Sequence, residues 1–314
     1  MHWLRCHKMI VGFGFVLLLL GLTAAPPAAA GPSVAAGPSG VAGPSAAAGP
    51  SVAGSWSSGA AVPEGARGRE SGAGPKAVTF KGRAFDTCRA PSADTMRRWR
   101  ASPYRAVGVY FGGRGRACRS QPHLSHGWMR TVQGQGWRVL PLYVGSQSTC
   151  VLSRHKKNVR IGRHPWNQGT AEARDAVQRA TALGIRPGSP LFLDMEAYAY
   201  WNEKCGRSTL LFVRGWDREV SRQGYLPGFY SSAESGVRHM ERSRRAGVAD
   251  LPKVVWFARW GVKNGLHSEP VLRKNAWMPA RRVHQYAGNV RERHGGRTLL
   301  IDRNLMHAPV ARIG

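Results

Sequence analysis

The segment Leu191-Phe192-Leu193-Asp194-Met195-Glu196 carries an apolar strand straight into two carboxylates separated by one residue. In an extended chain, side chains two apart project to the same side. Asp194 and Glu196 therefore share a face, with Cα atoms about 6.5 to 7 Å apart. Two carboxyls held that close in a partly dry cleft repel each other when both are ionised. That raises one pKa and leaves a protonated acid beside a charged neighbour. Cleavage of a glycosidic bond uses such a pair. The competing role for Asp-x-Glu is structural, ending the strand and capping the next element, so the surroundings decide between the two.

The elements that must position this pair can be read from hydrophobic patterning. Strand-like apolar runs occupy residues 83–86, 106–111, 137–144, 191–194, 226–230, 254–257, 282–286 and 299–302. Between most of them lie helix-length amphipathic stretches at 92–100, 125–135, 169–183, 207–223 and 233–245. Apolar strands alternating with helices argue for a parallel sheet covered on both faces. Eight such units predict an α/β fold, a closed TIM-type (β/α)8 barrel. The stretch 261–279, between the sixth and seventh strands, has no helical period and marks an irregular connection.

Most strands end in a polar residue, and the C-terminal mouth of such a barrel is where strand ends converge. Asp86 ends the first strand, Tyr110 the second, Tyr143 the third, Asp194 with Glu196 the fourth and Tyr230 the fifth. Gln285 with Tyr286 ends the seventh and Asp302 the eighth. Carboxylates at three separate strand ends, Asp86, Asp194 with Glu196, and Asp302, make an acidic cluster at the mouth. Tyr110, Tyr143, Tyr230, Trp256, Trp260 and Gln285 are the candidate substrate-binding set, since aromatic faces stack on sugars as well as filling cores.

Other chemistries find less support. No Gly-x-Ser-x-Gly elbow is present, which argues against a serine hydrolase. His123 and His126 have no accompanying third ligand, so no metal site and no cofactor are expected. The run Phe111-Gly112-Gly113-Arg114-Gly115 comes directly after a strand, yet no Gly-Lys-Ser/Thr ends it, which argues against a nucleotide-phosphate cradle. The Arg residues are scattered and no nucleic-acid reading motif appears, so specific nucleic-acid recognition is not expected.

The amino-terminal region has the layout of a secretory leader. Arg5 and Lys8 precede an apolar run, and small residues close at Ala28-Ala29-Ala30. That run is shorter than the roughly 20 residues needed to span a bilayer. The expected organisation is a signal peptide at 1–30, a disordered Gly/Pro/Ser/Ala linker at 31–75 and a barrel domain at 76–314. After cleavage no membrane span is expected, and the exported protein reads as a monomer. Lys and Arg number 46 against 17 Asp and Glu, a formal charge of +29. Outside a cell such a field attracts polyanions, anionic wall polymers and acidic glycans among them. The segment 154–163 is the densest basic stretch, read as a solvated loop or a contact for phosphate-bearing polymer.

Beyond the leader's Cys6, four cysteines remain: Cys88, Cys118, Cys150 and Cys205. In an oxidising compartment they suggest two disulfides, and sequence alone allows three pairings. Chain order and strand adjacency favour Cys88 with Cys118 and Cys150 with Cys205, bracing loops around the mouth.

These residues form an ordered set that resembles a known group. The set comprises Phe85-Asp86-Thr87-Cys88, Tyr104-Arg105-Ala106-Val107-Gly108-Val109-Tyr110, Tyr143-Val144-Gly145 and Leu193-Asp194-Met195-Glu196. It continues with Gly228-Phe229-Tyr230-Ser231-Ser232, Trp256-Phe257-Ala258-Arg259-Trp260, His284-Gln285-Tyr286 and Ile301-Asp302-Arg303-Asn304. It is similar to the actinobacterial secreted glycoside-hydrolase-like domain family called domain of unknown function 1906, itself related to the family 25 lysozymes. The resemblance implies that Glu196 is the general acid. It implies that Asp194 orients the substrate N-acetyl group, whose oxygen supplies the nucleophile, and that Asp86 and Asp302 complete the acidic cluster. It further implies a cell-wall glycan, peptidoglycan, as substrate and a secreted, wall-associated location. The alternatives are a catalytically silent carbohydrate-binding barrel and a polyanion-binding surface protein.

Overall fold

The computed structural model of the chain describes residues 77–314, and the expected leader and linker lie outside the described residues. Eight strands close into a barrel in sequence order. They are β1 (Val78–Asp86), β2 (Ala106–Gly112), β3 (Arg138–Tyr143), β4 (Pro190–Asp194), β5 (Leu226–Ser232), β6 (Val254–Ala258), β7 (Arg282–His294) and β8 (Arg297–Val310). The outer helices are α1 (Ala93–Arg98), α2 (His126–Gly134), α3 (Pro165–Ala182), α4 (Glu203–Arg222) and α5 (Arg238–Arg245). Each expected helix is present within a few residues. No helix forms between β6 and β7, where the sequence lacks a helical period. Among the described residues, no helix is long and apolar enough to cross a membrane.

Helix starts are chemically specified. The side chains of Ser92, Ser125 and Asn202 accept from the backbone N–H groups of Thr95, Trp128 and Cys205, and Pro165 opens α3. These caps satisfy donors that a first turn leaves unpaired.

Strand alternation separates two cores. Ala106, Leu140, Leu142, Phe192, Trp256, Val283 and Met306 fill the barrel interior. Phe85, Val107, Leu191, Leu193, Phe229 and Phe257 face outward and pack beneath the helices with Trp99, Trp137 and Trp216. Gly108 on β2 gives the interior its space. A Cβ there would lie 2.7 Å from the Asp86 Cβ and 2.9 Å from Trp256 Cη2.

The barrel departs from an all-parallel design at its closure. β1 to β7 pair in parallel, but β8 runs antiparallel to both β7 and β1. Only Gly295 and Gly296 separate β7 from β8. A parallel return needs a crossover of about a dozen residues, so a two-residue link forces a hairpin. Both glycines have positive φ, 54° and 79°, the combination a type I′ turn requires. β7 and β8 are consequently much longer than their apolar segments, extending beyond the mouth as a ribbon. Asp302 thus enters from the first half of an antiparallel strand rather than from a strand's C-terminal end. Its register partner is Asp86 on β1.

The two turn glycines differ in surroundings. A Cβ on Gly295 would sit 2.2 Å from the Arg98 carbonyl oxygen, whereas one on Gly296 would meet nothing within 4 Å. Gly296→Ala is expected to cost about 1 kcal/mol of unfolding free energy for its positive φ alone. Gly295→Ala should cost about 2–3 kcal/mol because backbone must also move. Urea unfolding of the two variants checks the difference, and equal losses would contradict this account of the turn.

Candidate functional site

Asp86 is the buried centre of the mouth, only 1% exposed. Tyr110 Oη donates to its Oδ2 at 2.7 Å, while Asn304 Nδ2 and Gln285 Nε2 donate to Oδ1 at 2.8 and 3.1 Å. Three donors directed at one carboxyl suit an acceptor-only carboxylate. The donors are themselves fixed. Trp256 Nε1 donates to Asn304 Oδ1 at 2.8 Å, and Gln285 Oε1 accepts from Tyr230 Oη at 3.0 Å and Trp260 Nε1 at 3.1 Å. Burial, followed by the nearby Asp86 and Asp194 carboxyls, holds the Tyr110 phenol well above its ordinary value, and the same groups act on Tyr230. Both remain O–H donors at any working pH.

Asp194 stands beside this network at the end of β4, in register with Tyr230. It is 6% exposed, and its Oδ1 has no hydrogen-bond partner among the described residues. Burial raises its pKa to about 7; Lys156 opposes the rise, and Glu196 and Asp86 add to it. Asp302 is raised to about 8 by burial and by Asp86, against the Asn289 N–H that donates to its Oδ1 at 2.6 Å. Two of the mouth's carboxyls therefore hold protons near neutrality, because desolvation and like charge both penalise ionisation.

Glu196 is the accessible member, with 32% of its side chain exposed. Lys156 Nζ lies 3.2 Å from its Oε1 and also donates to the Gly115 carbonyl at 2.7 Å, with only 12% of the lysine side chain exposed. The basic stretch, read as a solvated loop or a contact for phosphate-bearing polymer, instead sends one lysine into the mouth, where burial beside a carboxylate pairs it. Gln147, fully buried, bridges the strand exit: its Nε2 donates to the Asp194 carbonyl at 2.8 Å and its Oε1 accepts from the Glu196 N–H at 2.7 Å. This side chain from the β3 loop fixes the backbone between the two carboxyls.

The expected binding residues divide between the mouth and its surroundings. Tyr110, Tyr230, Gln285 and Trp260 converge with the carboxylates. Trp260 is 38% exposed and lies over Gly288, where a Cβ would be 2.1 Å from its ring. Trp256 is inside the barrel but fully buried, beneath the mouth, between Phe192 and Tyr230, so no ring face is open to a ligand. Tyr143 is not in the mouth. Leu142 points inward and Tyr143 outward, where its Oη donates to Asp175 Oδ2 of α3 at 2.7 Å. Strand parity excludes it from the group that contains Asp86.

The cysteines pair as Cys88–Cys118 and Cys150–Cys205, with Cα separations of 5.7 and 5.8 Å. The second bond ties the loop that carries Lys156 to the start of α4. Among the described residues, no three His, Cys, Asp or Glu side chains are grouped to hold a metal ion. His126 Nε2 instead lies 2.8 Å from the Gly314 carbonyl oxygen.

Sequence reasoning assigned no role at the mouth to Lys156, Gln147 or Asn304. Asn304 was findable, since it lies two residues beyond Asp302 on the same face of one strand. Lys156 and Gln147 carry no local signal, because their partners are supplied by tertiary structure.

The raised carboxyls set a pH dependence for stability. Between about pH 4 and pH 7–8, Asp194 and Asp302 are protonated in the fold and ionised in the unfolded chain, so stability falls as pH rises. Asp94 and Glu219, held near 2 by arginines, contribute stability that is present above about pH 4 and is lost as pH falls toward 2, so they add no slope within that window. Buried His239, held near 4, acts in the opposite sense up to about pH 6.5, so the thermal midpoint is expected to drop by about 5 °C between pH 6.5 and pH 8, and Asp194→Asn should flatten that slope. Scanning calorimetry across this range checks it; a midpoint rising with pH would contradict it.

A model of the Rv2525c-like, glycoside hydrolase-like domain matches residues 97–306. No curated protein matches. Among solved structures, the Mycobacterium tuberculosis Tat-secreted protein Rv2525c in complex with L-tartrate is similar at 16% identity, with a TM-score of 0.51, covering 72% of this chain and 96% of that one. The modular autolysin LytC from Streptococcus pneumoniae gives 13% identity and a TM-score of 0.45, covering 74% of this chain and 46% of that one. The similarity to Rv2525c, at this identity, bears on the fold alone, and the barrel agrees with it. The family match covers more than half of the chain and includes Asp194, Glu196 and Asp302, with Asp86 lying before its start: the chain belongs to the Rv2525c-like, glycoside hydrolase-like domain family.

Proposed function

We propose that this protein is a secreted glycoside hydrolase acting on cell-wall glycan, with peptidoglycan as substrate. Glu196, the accessible carboxyl, donates a proton to the glycosidic oxygen. Asp194, buried beside it, accepts a hydrogen bond from the N–H of the substrate's acetamide group and orients that group's carbonyl oxygen toward the anomeric carbon. Asp86 supplies negative charge near the oxocarbenium-like centre, and Asp302, protonated near neutrality, completes the acidic cluster beside it. Tyr110, Tyr230, Trp260 and Gln285 bind the sugar. The observation that carries this reading is the Asp194 carboxyl, which is buried, has an oxygen without a partner and stands next to an exposed Glu196. A buried polar atom left open in a mouth is suited to a ligand donor. Two disulfides are consistent with an oxidising, extracellular location.

One observation favours a second reading, a glycan-binding barrel without turnover. The Lys156 ammonium holds Glu196 in an ion pair, and an acid catalyst must leave that pair to carry its proton.

The purified protein is expected to release reducing ends and soluble muropeptides from peptidoglycan. Glu196→Gln should lower the rate at least about 100-fold without moving the thermal midpoint. Lys156→Met, which frees Glu196, should raise the rate about tenfold. Mass spectrometry of the soluble fraction reads all three proteins. Glycan binding by all of them with release by none would establish the silent barrel instead.

A further inference from the structure

A second cavity lies outside the barrel, between the loop after β2 and α3, with a volume of about 320 Å³. Arg114, Arg116 and Arg119 line it from the loop, and Glu172, Asp175 and Arg179 from one face of α3. Four guanidinium groups thus surround two carboxylates, both already engaged. Asp175 accepts from Arg179 Nε and Tyr143 Oη, each at 2.7 Å. Glu172 accepts from the Ser146 N–H at 2.8 Å and from the Ser146 hydroxyl, and Arg114 donates to that hydroxyl at 2.7 Å. Arg116 donates only to the Gly113 and Tyr110 carbonyls, at 3.2 and 3.3 Å. The Arg119 side chain makes no hydrogen bond or ion pair among the described residues.

Like charges are brought together here by built features. Gly113 has φ +94° and a Cβ there would overlap the Val144 carbonyl, so only glycine permits this turn. A Cβ on Gly112 would lie 2.7 Å from Tyr143 Cδ2 and 2.9 Å from Arg179 Cδ. The Cys88–Cys118 bond then anchors the chain between Arg116 and Arg119. Burial and the charges of Arg179 and Arg119 hold the Arg116 guanidinium below its ordinary value. That mutual repulsion is relieved by an anion with several acceptor oxygens, and guanidinium forks match phosphate in geometry. The excess of two positive charges equals that of a phosphate dianion. The cavity is large enough for the phosphate and part of an attached sugar.

We infer that the cavity lined by Arg114, Arg116, Arg119 and Arg179 is a binding site for a phosphate group, separate from the carboxylate mouth. The phosphate is carried on a glycan or is free in solution. The mode of capture is side-chain guanidinium, not the backbone nest of a nucleotide loop, which fits the absence of Gly-Lys-Ser/Thr after the glycines.

Isothermal titration of the purified protein at about 0.15 M salt, with inorganic phosphate, N-acetylglucosamine 6-phosphate and N-acetylglucosamine, tests this assignment. One saturable site with Kd at or below about 1 mM is expected for the phosphorylated probes. Arg119→Gln should weaken it about tenfold with an unchanged thermal midpoint, and Glu196→Gln should leave it unaltered. Tighter binding of the sugar phosphate than of inorganic phosphate would assign a phosphorylated glycan; equal binding would assign free phosphate. Absence of saturable binding would overturn the inference. So would affinity unchanged in both Arg119→Gln and Arg116→Gln, which would refer the anion to the general basic surface.

Discussion

Asp86 must be kept in a place from which water is excluded, and the mouth is arranged around that requirement. An isolated buried carboxylate costs several kcal/mol, so its oxygens need donors. Tyr110, Asn304 and Gln285 provide them, from β2, β8 and β7. Each amide has only one orientation that serves Asp86. Asn304 must then turn its oxygen to Trp256, and Gln285 its oxygen to Tyr230 and Trp260. One buried charge thereby orders polar side chains on five strands and in the loop after β6. It also helps keep protons on Asp302 and Asp194.

Outside this centre, the loops determine how the accessible carboxyl is presented. Gln147 pins the strand exit between Asp194 and Glu196, and Lys156 reaches over from the same β3 loop to pair with Glu196. Lys156 in turn rests on Gly115 of the β2 loop, whose far side carries the arginines of the outer cavity. The disulfides hold both loops, one to the exit of β1 and the other to the start of α4. The charge excess of the sequence is therefore not uniform at the site, since one cation enters the acidic mouth and several gather behind it.

Much of this was legible in the sequence. The alternation of apolar strands and amphipathic helices specified the eight-stranded barrel, and strand-end polarity located Asp86, Tyr110, Asp194, Tyr230 and Gln285. Strand parity also contained the correction for Tyr143, because Leu142 and Tyr143 cannot both face inward. Gly295-Gly296 contained the antiparallel closure, a hairpin signal flanked by strand sequence too polar to stand out as strand. Trp256 shows the limit of residue type: stacking platform and buried floor use the same side chain, and only packing against Phe192 and Tyr230 separates them. Lys156 was hidden for a related reason, since a basic loop gives no sign of which lysine turns inward.

The central claim is that the unpartnered Asp194 oxygen and Glu196 receive an N-acetylated sugar. A crystal structure of the Glu196→Gln protein with an N-acetylglucosamine oligosaccharide measures this directly. The account predicts an acetamide nitrogen within 2.7–3.2 Å of Asp194 Oδ1 and a glycosidic oxygen beside residue 196. An oligosaccharide bound away from the mouth, with that oxygen still unpartnered, would contradict it.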